Sequence, residues 1–191
     1  MPKPPLRILV QFAHPALHRS RVNRELLEAI RGLEGVTVND LYEEYPDSFV
    51  NADREQKLLR EHDAIVFQHP LYWYSSPAIL KEWQDIVLED GFAYGEGGTA
   101  LKGKSWLSAI TTGGPADAYQ PDGFNRFGIR QLLLPFEQTA AFCGMIFLDP
   151  FLVQGTFELS DQQISDAAAR YRQIVTQLRD GAYVISSTDA Q

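Results

Sequence analysis

A chain of 191 residues is long enough for one sizeable hydrophobic core but too short for two ordinary domains without a visible linker, so we expect one domain over residues 1–191 with its core between about 6 and 180. The 17 basic and 25 acidic residues give a net charge of −8, which argues against general binding to nucleic acid or to anionic membranes. No apolar run approaches the length of a membrane span and the N-terminus lacks the apolar core of a signal peptide, so the expected compartment is the cytoplasm.

The first predicted unit is a strand over residues 6–12, a loop, and a helix whose apolar side chains repeat at helical spacing from Val22 to Ile30. Ser20 is the expected N-cap, so the first amides of the helix face the loop at the positive end of the helix dipole. This arrangement favours an anion. The loop contains no glycine, so neither a P-loop nor the G-x-G-x-x-G dinucleotide motif is present.

The next predicted elements lead to the centre of the sheet. Residues 36–41 alternate and are rich in β-branched side chains, as in a strand. Residues 42–52 are polar and predict a solvated loop, and residues 53–61 predict a short helix. The third strand, residues 63–69, is continuously apolar, which is typical of a strand buried on both faces.

The loop after this strand is the most informative stretch of the chain. Pro70 ends the strand because it has no amide donor, and three consecutive aromatic residues follow over 72–74. Ser76 and Pro77 suit the N-cap and first position of a helix. Its buried face is predicted to comprise Ile79, Trp83, Ile86 and Val87. Aromatic planes at the carboxyl end of a strand are suited to a flat, conjugated ligand.

The second half of the chain continues the alternation of strands and helices. A glycine-rich loop over residues 91–103 precedes a fourth strand, 105–112, which runs into Thr-Thr-Gly-Gly-Pro. A helical pattern then carries Ile129, Leu132, Leu133 and Phe136 inward, with a kink or a fresh start expected at Pro135. Residues 145–153 predict a fifth strand. The last helix is predicted to begin at a capping box whose first residue is Ser160. The helix is predicted to end before Gly181.

Five strands alternating with helices predict an α/β fold with a doubly wound parallel sheet of order 2-1-3-4-5. In that order the loops over residues 13–23, 70–76 and 111–119 meet at one edge of the sheet. They offer an anion site, a plate of aromatics and an exposed glycine backbone, the groups needed to hold a flavin mononucleotide. Backbone amides of Trp73, Tyr74, Gly113 and Gly114 are the expected donors to the polar edge of the ring.

Other kinds of site fit the sequence less well. The four histidines lack the spacing of a metal cluster, so no metal site is predicted. No serine lies in a G-x-S-x-G elbow, which argues against a hydrolase. The one cysteine, Cys143, is in an apolar context typical of a buried structural thiol. For the aromatic side chains of residues 72–74, the alternatives to ligand contact are filling the core and forming a dimer contact. For His14, the alternative to phosphate contact is a structural role in the loop.

Three motifs together resemble the flavodoxin-like NAD(P)H:quinone oxidoreductases, over about residues 6–180. They are Ala13-His14 with Ser20-x-x-Asn23, then His69-Pro-Leu-Tyr-Trp-Tyr-Ser-x-Pro-Ala-Ile-Leu-Lys-x-Trp-x-Asp85, then Thr111-Thr-Gly-Gly114 with Tyr119 five residues further on. The length and the Gly-Phe-Asn-Arg-Phe stretch are most similar to the bacterial ancillary oxidoreductases of glutathione-gated potassium efflux systems. The resemblance implies a flavodoxin-like homodimer with a flavin at each of two interface sites. FMN is favoured over FAD, with hydride passing from NAD(P)H to the flavin and then to a quinone in a ping-pong cycle.

The resemblance also implies roles for individual residues. Tyr119 is the implied catalytic residue, a proton donor to the reduced flavin, because the histidine that mammalian members carry shortly after this tyrosine is absent from residues 123–128. Phe92 and Tyr94 match a loop that reaches into the partner's site. The implied cofactor contacts are His14, Ser20, Val22 and Asn23 for the phosphate and ribityl chain, Pro70, Leu71, Tyr72, Trp73 and Tyr74 for the ring, and Thr112, Gly113, Gly114 and Tyr119 from the opposing loop.

Two alternatives to an oxidoreductase remain at the level of sequence. One is a flavin-binding regulatory subunit that docks on a potassium efflux transporter, with incidental reductase activity and a peripheral position at the inner face of the membrane. The other, disfavoured by the aromatic run, is a one-electron carrier of flavodoxin type. The patch formed by Arg19, Arg21 and Arg24 can serve the flavin phosphate, a phosphate of the nicotinamide cofactor, or solvent alone.

Overall fold

The computed structural model describes residues 4–183 and contains one twisted parallel sheet with helices on both faces. The strands are β1 (Ile8–Phe12), β2 (Val36–Asp40), β3 (Ala64–Pro70), β4 (Ser105–Thr111), β5 (Ile146–Phe147) and β6 (Phe151–Val153). Their order is β2-β1-β3-β4-β5, with β6 also paired to β4. The predicted doubly wound order is therefore confirmed.

The helices are α1 (Arg21–Ile30), α2 (Leu41–Glu44), α3 (Ala52–Glu61), α4 (Ala78–Val87), α5 (Ile129–Leu132), α6 (Leu134–Phe142) and α7 (Asp161–Arg179). Side chains alternate along each strand, so successive residues serve different cores. Ile8 and Val10 of β1 pack with α1 and α7, whereas Leu9 packs on the opposite face with Trp83 of α4. Each face of the sheet thus has its own apolar core.

The predicted caps of α1 and α7 are confirmed. Ser20 Oγ accepts from the Asn23 amide at 3.2 Å, and Ser160 forms a complete capping box with Gln163. At the start of α4 the prediction is one residue early, since Pro77 is the N-cap and Ala78 the first helical residue. Pro135 marks a fresh start near the first turn of α6, where its missing amide costs nothing.

Two predicted elements differ from the structure. The fifth strand is divided into β5 and β6, because Asp149 and Pro150 interrupt the pairing with β4 and proline has no amide to donate. The sheet therefore has six strands rather than five. The segment 42–52 is not wholly a loop: Asp40 caps the short helix α2 by accepting from the amides of Tyr42 and Glu43.

A fully buried carboxylate ties α3 and α4 to the sheet. Glu55 accepts from Gln11 at 2.8 Å and from the indole N–H of Trp83 at 2.8 Å. The Tyr45 hydroxyl donates to it at 2.7 Å and Arg54 supplies the cation at 2.5 Å. A buried charge is tolerated only when its oxygens are satisfied in this way. The network holds α4, and hence the end of the loop that precedes it, in one position.

None of the helices described between residues 4 and 183 is both long and apolar enough to cross a membrane.

Candidate functional site

The loops after β1, β3 and β4 meet at the carboxyl edge of the sheet. The register aligns Pro70 of β3 with Thr111 of β4, and Phe12 of β1 with Gln68 of β3, so the three strands end at nearly the same level. The loop after β6 reaches the same edge because β6 also runs parallel to β4. This is the edge at which open α/β sheets bind ligands.

One cavity at this edge, which we call the anion cavity, has a volume of about 410 Å³. The start of α1 forms one wall. Within residues 4–183 the amides of Arg21 and Val22 have no acceptor, so both are free to bind a ligand at the positive end of the helix dipole. The lining residues are His14, Ala16, Arg19, Ser20, Arg21, Val22, Asn23, Pro70, Leu71, Tyr72, Thr111, Gly113, Thr156 and Phe157.

His14 enters the anion cavity as a neutral side chain. Its Nδ1 accepts from the Ala16 amide at 3.1 Å, which leaves Nε2 to carry the proton. Burial lowers the pKa of His14 below its usual value, and the charge of His18 lowers it further against an opposing backbone contact. His14 can therefore donate a hydrogen bond to a ligand without bringing a positive charge.

The three arginines near α1 have different surroundings. Arg19 lines the anion cavity. Arg21 also borders it, but its guanidinium bonds the Leu159 carbonyl at 3.1 Å and pairs with Asp161 at 2.5 Å, which joins α1 to the start of α7. Arg24 is exposed and lies outside the lining. The basic patch of the sequence is thus not one binding surface.

The aromatic loop forms a tight turn in a rare conformation. The amides and carbonyls of Tyr72 and Ser75 bond each other reciprocally at 3.0 Å. Trp73 and Tyr74 between them have φ values of 48° and 64°, the left-handed pair of a type I′ turn. Such turns usually carry Asn-Gly, and bulky side chains are strained there. The turn, closed by these bonds, places both aromatic side chains at the edge of the sheet.

The second cavity, which we call the aromatic cavity, adjoins the first and shares Leu71 with it; its volume is about 560 Å³. Trp73 is 90% exposed, and the Tyr74 hydroxyl donates to Asn125 at 3.2 Å. The lining residues are Leu71, Trp73, Tyr74, Gly114, Pro115, Ala118, Tyr119, Phe124 and Asn125.

The expected backbone donors are available. Among residues 4–183 no acceptor is bonded to the amides of Trp73, Tyr74, Gly113 or Gly114. The two glycines also allow close packing: a Cβ on Gly113 would lie 2.5 Å from the Phe157 ring, and one on Gly114 would lie 3.2 Å from the Tyr119 ring. The backbone between the cavities is therefore open to a ligand.

Comparison with known proteins places the chain in a family. A family model described as the flavodoxin-like fold matches residues 6–175. The chain belongs to this family. A relative that is 53% identical over 171 residues, covering 90% of this chain and 93% of the relative, is the glutathione-regulated potassium-efflux system ancillary protein KefG of Pectobacterium carotovorum.

Two solved structures are similar over nearly the whole chain. General stress protein 14 of Treponema denticola, solved in complex with FMN, is 36% identical with a TM-score of 0.87, and the match covers 90% of this chain and 99% of that chain. An NADPH-quinone reductase from P. pentosaceus is 33% identical with a TM-score of 0.81, and the match covers 88% and 96%.

Within this flavodoxin-like site, the residues named from sequence divide between the two cavities. The anion cavity is lined by His14, Ser20, Val22, Asn23, Pro70, Leu71, Tyr72 and Gly113, and the aromatic cavity by Leu71, Trp73, Tyr74, Gly114 and Tyr119. Thr112 lines neither, because its hydroxyl donates to the Gly114 carbonyl at 2.7 Å and shapes the loop.

Four residues of the anion cavity are not among the contacts named from sequence: Ala16, Thr111, Thr156 and Phe157. Thr111 belongs to the predicted site loop of residues 111–119, but the resemblance names Thr112 rather than Thr111 as a contact. The loop that carries Thr156 and Phe157 has no motif. Its position follows from the sheet order, because the loop follows β6, which pairs with β4 and ends at the same carboxyl edge of the sheet. It is fixed there by backbone bonds from Gly155 to Gly114 and from Thr156 to Thr112.

The loop of Phe92 and Tyr94 differs from what the resemblance implies. Phe92 is 5% exposed and packs in the core of its own chain, beneath the Arg60 guanidinium. Tyr94 is half-buried and contacts Phe142 with ring centroids 5.0 Å apart. Phe92 therefore has no surface left for a partner, and any contact of this loop with a second subunit would involve other residues.

Proposed function

We propose that the protein is an NAD(P)H:quinone oxidoreductase that uses FMN. The observation that carries this proposal is the pair of adjoining cavities, one with free helix amides and buried hydroxyls and the other with aromatic walls and free loop amides. A phosphorylated chain joined to a flat ring system has this distribution of chemistry. The FMN bound by general stress protein 14 and the activity of the P. pentosaceus quinone reductase support it.

The polar groups of the site fit FMN. Asn23 is 2% exposed and lines the anion cavity, yet its Oδ1 has no partner within residues 4–183, so it can accept from a hydroxyl of the ribityl chain. Ser20 and the free amides of Arg21 and Val22 suit the phosphate. The half of the ligand that carries the ring would lie along Leu71, between the turn of Trp73 and the loop of Gly113 and Gly114.

FMN, when bound, supplies two-electron chemistry, taking a hydride from NAD(P)H and passing it to a quinone. The protein binds and orients this group through the anion cavity. The free amides of Trp73 and Gly114 stabilise negative charge near the ring, and the Tyr119 hydroxyl donates a proton or a hydrogen bond there. The open side of the aromatic cavity admits the nicotinamide and the quinone in turn, which gives a ping-pong cycle.

Purification and titration test the proposal directly. The purified protein should be yellow, or become yellow with FMN, should bleach with NADPH or NADH under anaerobic conditions, and should recover its colour with a quinone. Initial rates at several concentrations of both substrates should give parallel double-reciprocal lines. A protein that cannot be loaded with FMN or FAD would refute the proposal, and FAD retention at a higher affinity would correct the cofactor.

We also propose that the protein is a homodimer whose second subunit covers the aromatic cavity. Trp73 and Phe124, both at this cavity, are 90% and 91% exposed, and Phe127 nearby is also exposed. An apolar surface of this kind is usually covered by a ligand or a partner. Sedimentation should give twice the chain mass, and Phe124→Asp should shift the protein towards the monomer and weaken FMN binding together.

A second candidate function is that of an ancillary subunit of a potassium efflux transporter, held at the inner face of the membrane by that partner. The 53% identity to the KefG ancillary protein favours it. Co-expression with the adjacent transporter, where the genome provides one, should give a complex that survives purification. Potassium efflux that is unchanged by removal of the protein would exclude this role and would leave the oxidoreductase proposal standing.

A further inference from the structure

A second strained backbone segment lies beside the turn of Trp73 and Tyr74. Within residues 4–183 four residues other than glycine have positive φ values, and three of them are in the two segments that form walls of the aromatic cavity. Two of the three are Trp73 and Tyr74. The third is Arg126, with a φ of 61°, in the loop of residues 123–127. Arginine is uncommon in this conformation, and backbone strain of this kind is concentrated at functional sites.

The loop that carries Arg126 is fixed at the aromatic cavity. The Asn125 amide donates to the Ala118 carbonyl at 2.8 Å, and the Asn125 side chain accepts from the Tyr74 hydroxyl at 3.2 Å. Phe124 and Asn125 line the cavity, and Arg126 follows them directly. These bonds therefore hold the backbone of Arg126 at the rim of the cavity.

The Arg126 side chain has no role within the described fold. It is exposed, and its guanidinium has no hydrogen bond, ion pair or ring contact within residues 4–183. The next cation along the chain, Arg130, pairs with Asp149 at 3.4 Å and lies 5.8 Å from the Phe147 ring. Arg126 is thus free to bind an anion, in a chain whose net charge of −8 otherwise disfavours anions.

The other arginines near the site have different surroundings. Arg19 lines the anion cavity, where the phosphate of FMN is proposed to bind, and Arg21 is paired with Asp161. Arg24 lies outside both cavities. No residue that lines the aromatic cavity is charged. A second phosphate near the aromatic cavity would therefore depend on Arg126.

We propose that Arg126 binds the 2′-phosphate of NADPH and so determines a preference for NADPH over NADH. This inference rests on the proposed function, in which the aromatic cavity admits the nicotinamide. The two nucleotides share the nicotinamide half and differ only in the phosphate on the adenosine ribose, so a cavity with uncharged walls does not distinguish them. A guanidinium at its rim does, because its N–H groups can bind two phosphate oxygens at once.

Steady-state kinetics of the FMN-loaded protein with a soluble benzoquinone test this role. The wild-type kcat/KM for NADPH should be at least about tenfold above that for NADH. Arg126→Gln should lower the value for NADPH about tenfold, mainly through KM, and the value for NADH by less than about twofold. Arg126→Lys should restore part of the preference, since it keeps the charge but loses the paired donors. The affinity for FMN should not change.

Two further variants separate a direct contact from charge and from strain. Arg24→Gln removes the same charge from an exposed position outside both cavities, so it should leave the ratio of the two kcat/KM values unchanged. Arg126→Gly should lose the preference, as Arg126→Gln does, but should unfold at a higher urea concentration, because glycine is unstrained at a φ of 61°.

Three results would overturn the inference. They are a wild-type ratio near one, equal losses for NADPH and NADH in Arg126→Gln, and an equal fall of the ratio in Arg24→Gln. A protein that reduces the quinone equally well with both nucleotides would retain the proposed function and lose only this inference.

A binding experiment covers the case in which the wild-type protein reduces no quinone with either nucleotide. The fragments 2′,5′-ADP and 5′-AMP, which differ in the 2′-phosphate, are titrated against ¹⁵N-labelled protein. Shifts of the amides of residues 123–127 with 2′,5′-ADP alone, lost in Arg126→Gln, would support the phosphate site without the reductase activity. Equal shifts with both fragments, or no shift, would refute it.

Discussion

The two adjoining cavities differ in what holds their walls. In the anion cavity, His14, Asn23 and Thr111 are buried. Asn23 of α1 donates to Thr111 of β4, and His14 accepts from the Ala16 amide in the loop between β1 and α1. In the aromatic cavity, Trp73 and Phe124 are almost fully exposed, and the wall is a strained turn joined to the opposite loop through Tyr74 and Asn125. The first cavity has its shape before any ligand arrives, whereas the second depends on what covers it. Both cavities should contribute binding energy, and selectivity for substrates should come from the second.

Two tryptophans provide the largest contrast. Trp83 is fully buried and donates to Glu55, so Trp83→Ala should lower the free energy of unfolding by about 4 kcal/mol, through a cavity and a carboxylate that loses a donor. Trp73→Ala should change it by less than about 0.5 kcal/mol but weaken FMN about tenfold. Urea unfolding of the flavin-free protein and FMN titration measure both. Phe49→Ala, an exposed aromatic that lines neither cavity, is the control.

If Trp73→Ala lowered the free energy of unfolding as much as Trp83→Ala, Trp73 would be a core residue and the predicted difference between the two tryptophans would be wrong.

The buried residue His69 predicts that the free energy of unfolding depends on pH. Burial lowers the pKa of His69 to about 4, although its bond to the Pro70 carbonyl opposes the shift. The unfolded chain binds this proton below about pH 6.5 and the folded chain does not, so acid favours unfolding. Between pH 6.5 and 4 this residue should remove about 3 kcal/mol from the free energy of unfolding.

Urea unfolding at pH 7, 5.5 and 4.5 measures this loss. In His69→Gln the decline should be shallower, with the remainder contributed by His14 and His62, whose pKa values burial also lowers. An equal decline in both proteins would show that His69 is not protected from protonation.

A smaller effect is expected at the helix start. Ser20→Ala removes the cap of α1 and should cost about 1 kcal/mol of stability. It also removes a donor in the anion cavity, so FMN should bind about tenfold more weakly while riboflavin binding changes little. Ser160→Ala removes a comparable cap at α7, outside both cavities, and should lower stability without changing the affinity for FMN. If both variants weakened FMN alike, the effect would come from stability alone.

The smallest effect should be at Tyr119. Its hydroxyl has no partner within residues 4–183, so Tyr119→Phe should leave stability unchanged. The rate of flavin reduction by NADPH should fall about fivefold, less than the 10²–10³ typical of an enclosed donor, because the aromatic cavity is open. Stopped-flow absorbance measures the rate. A full-rate variant would remove Tyr119 from the mechanism and leave the loop amides as the donors.

Most helix boundaries were predictable because they depend on local signals, and the order of the sheet followed from the alternation of strands and helices along the chain. Apolar periodicity identified α1 and α7, and the caps Ser20 and Ser160 positioned their starts. Two elements were predicted wrongly although each had a local signal. Pro150 signals the division of the last strand, but the apolar pattern of residues 145–153 favoured one continuous strand. Asp40 signals a helix cap, but the polar composition of residues 42–52 favoured a loop.

The site was predictable where it is carried by motifs and strand ends. His14 and Gly113, which the family resemblance names as contacts, both line the anion cavity. Phe157 was not foreseen, because it reaches the cavity through the packing of an unremarkable loop against Gly113. The left-handed turn was not foreseen either, since Trp73 and Tyr74 replace the Asn-Gly pair by which such turns are recognised.

The turn at Trp73 and Tyr74 places stability and activity in opposition. Asn-Gly at these two positions would relieve the left-handed strain and should make the chain more resistant to unfolding. It would also remove the two aromatic walls of the aromatic cavity. Selection for thermal resistance alone should therefore favour loss of the proposed cofactor site. If a screen for more stable variants selects glycine at these positions, the aromatic residues are retained for ligand binding rather than for stability.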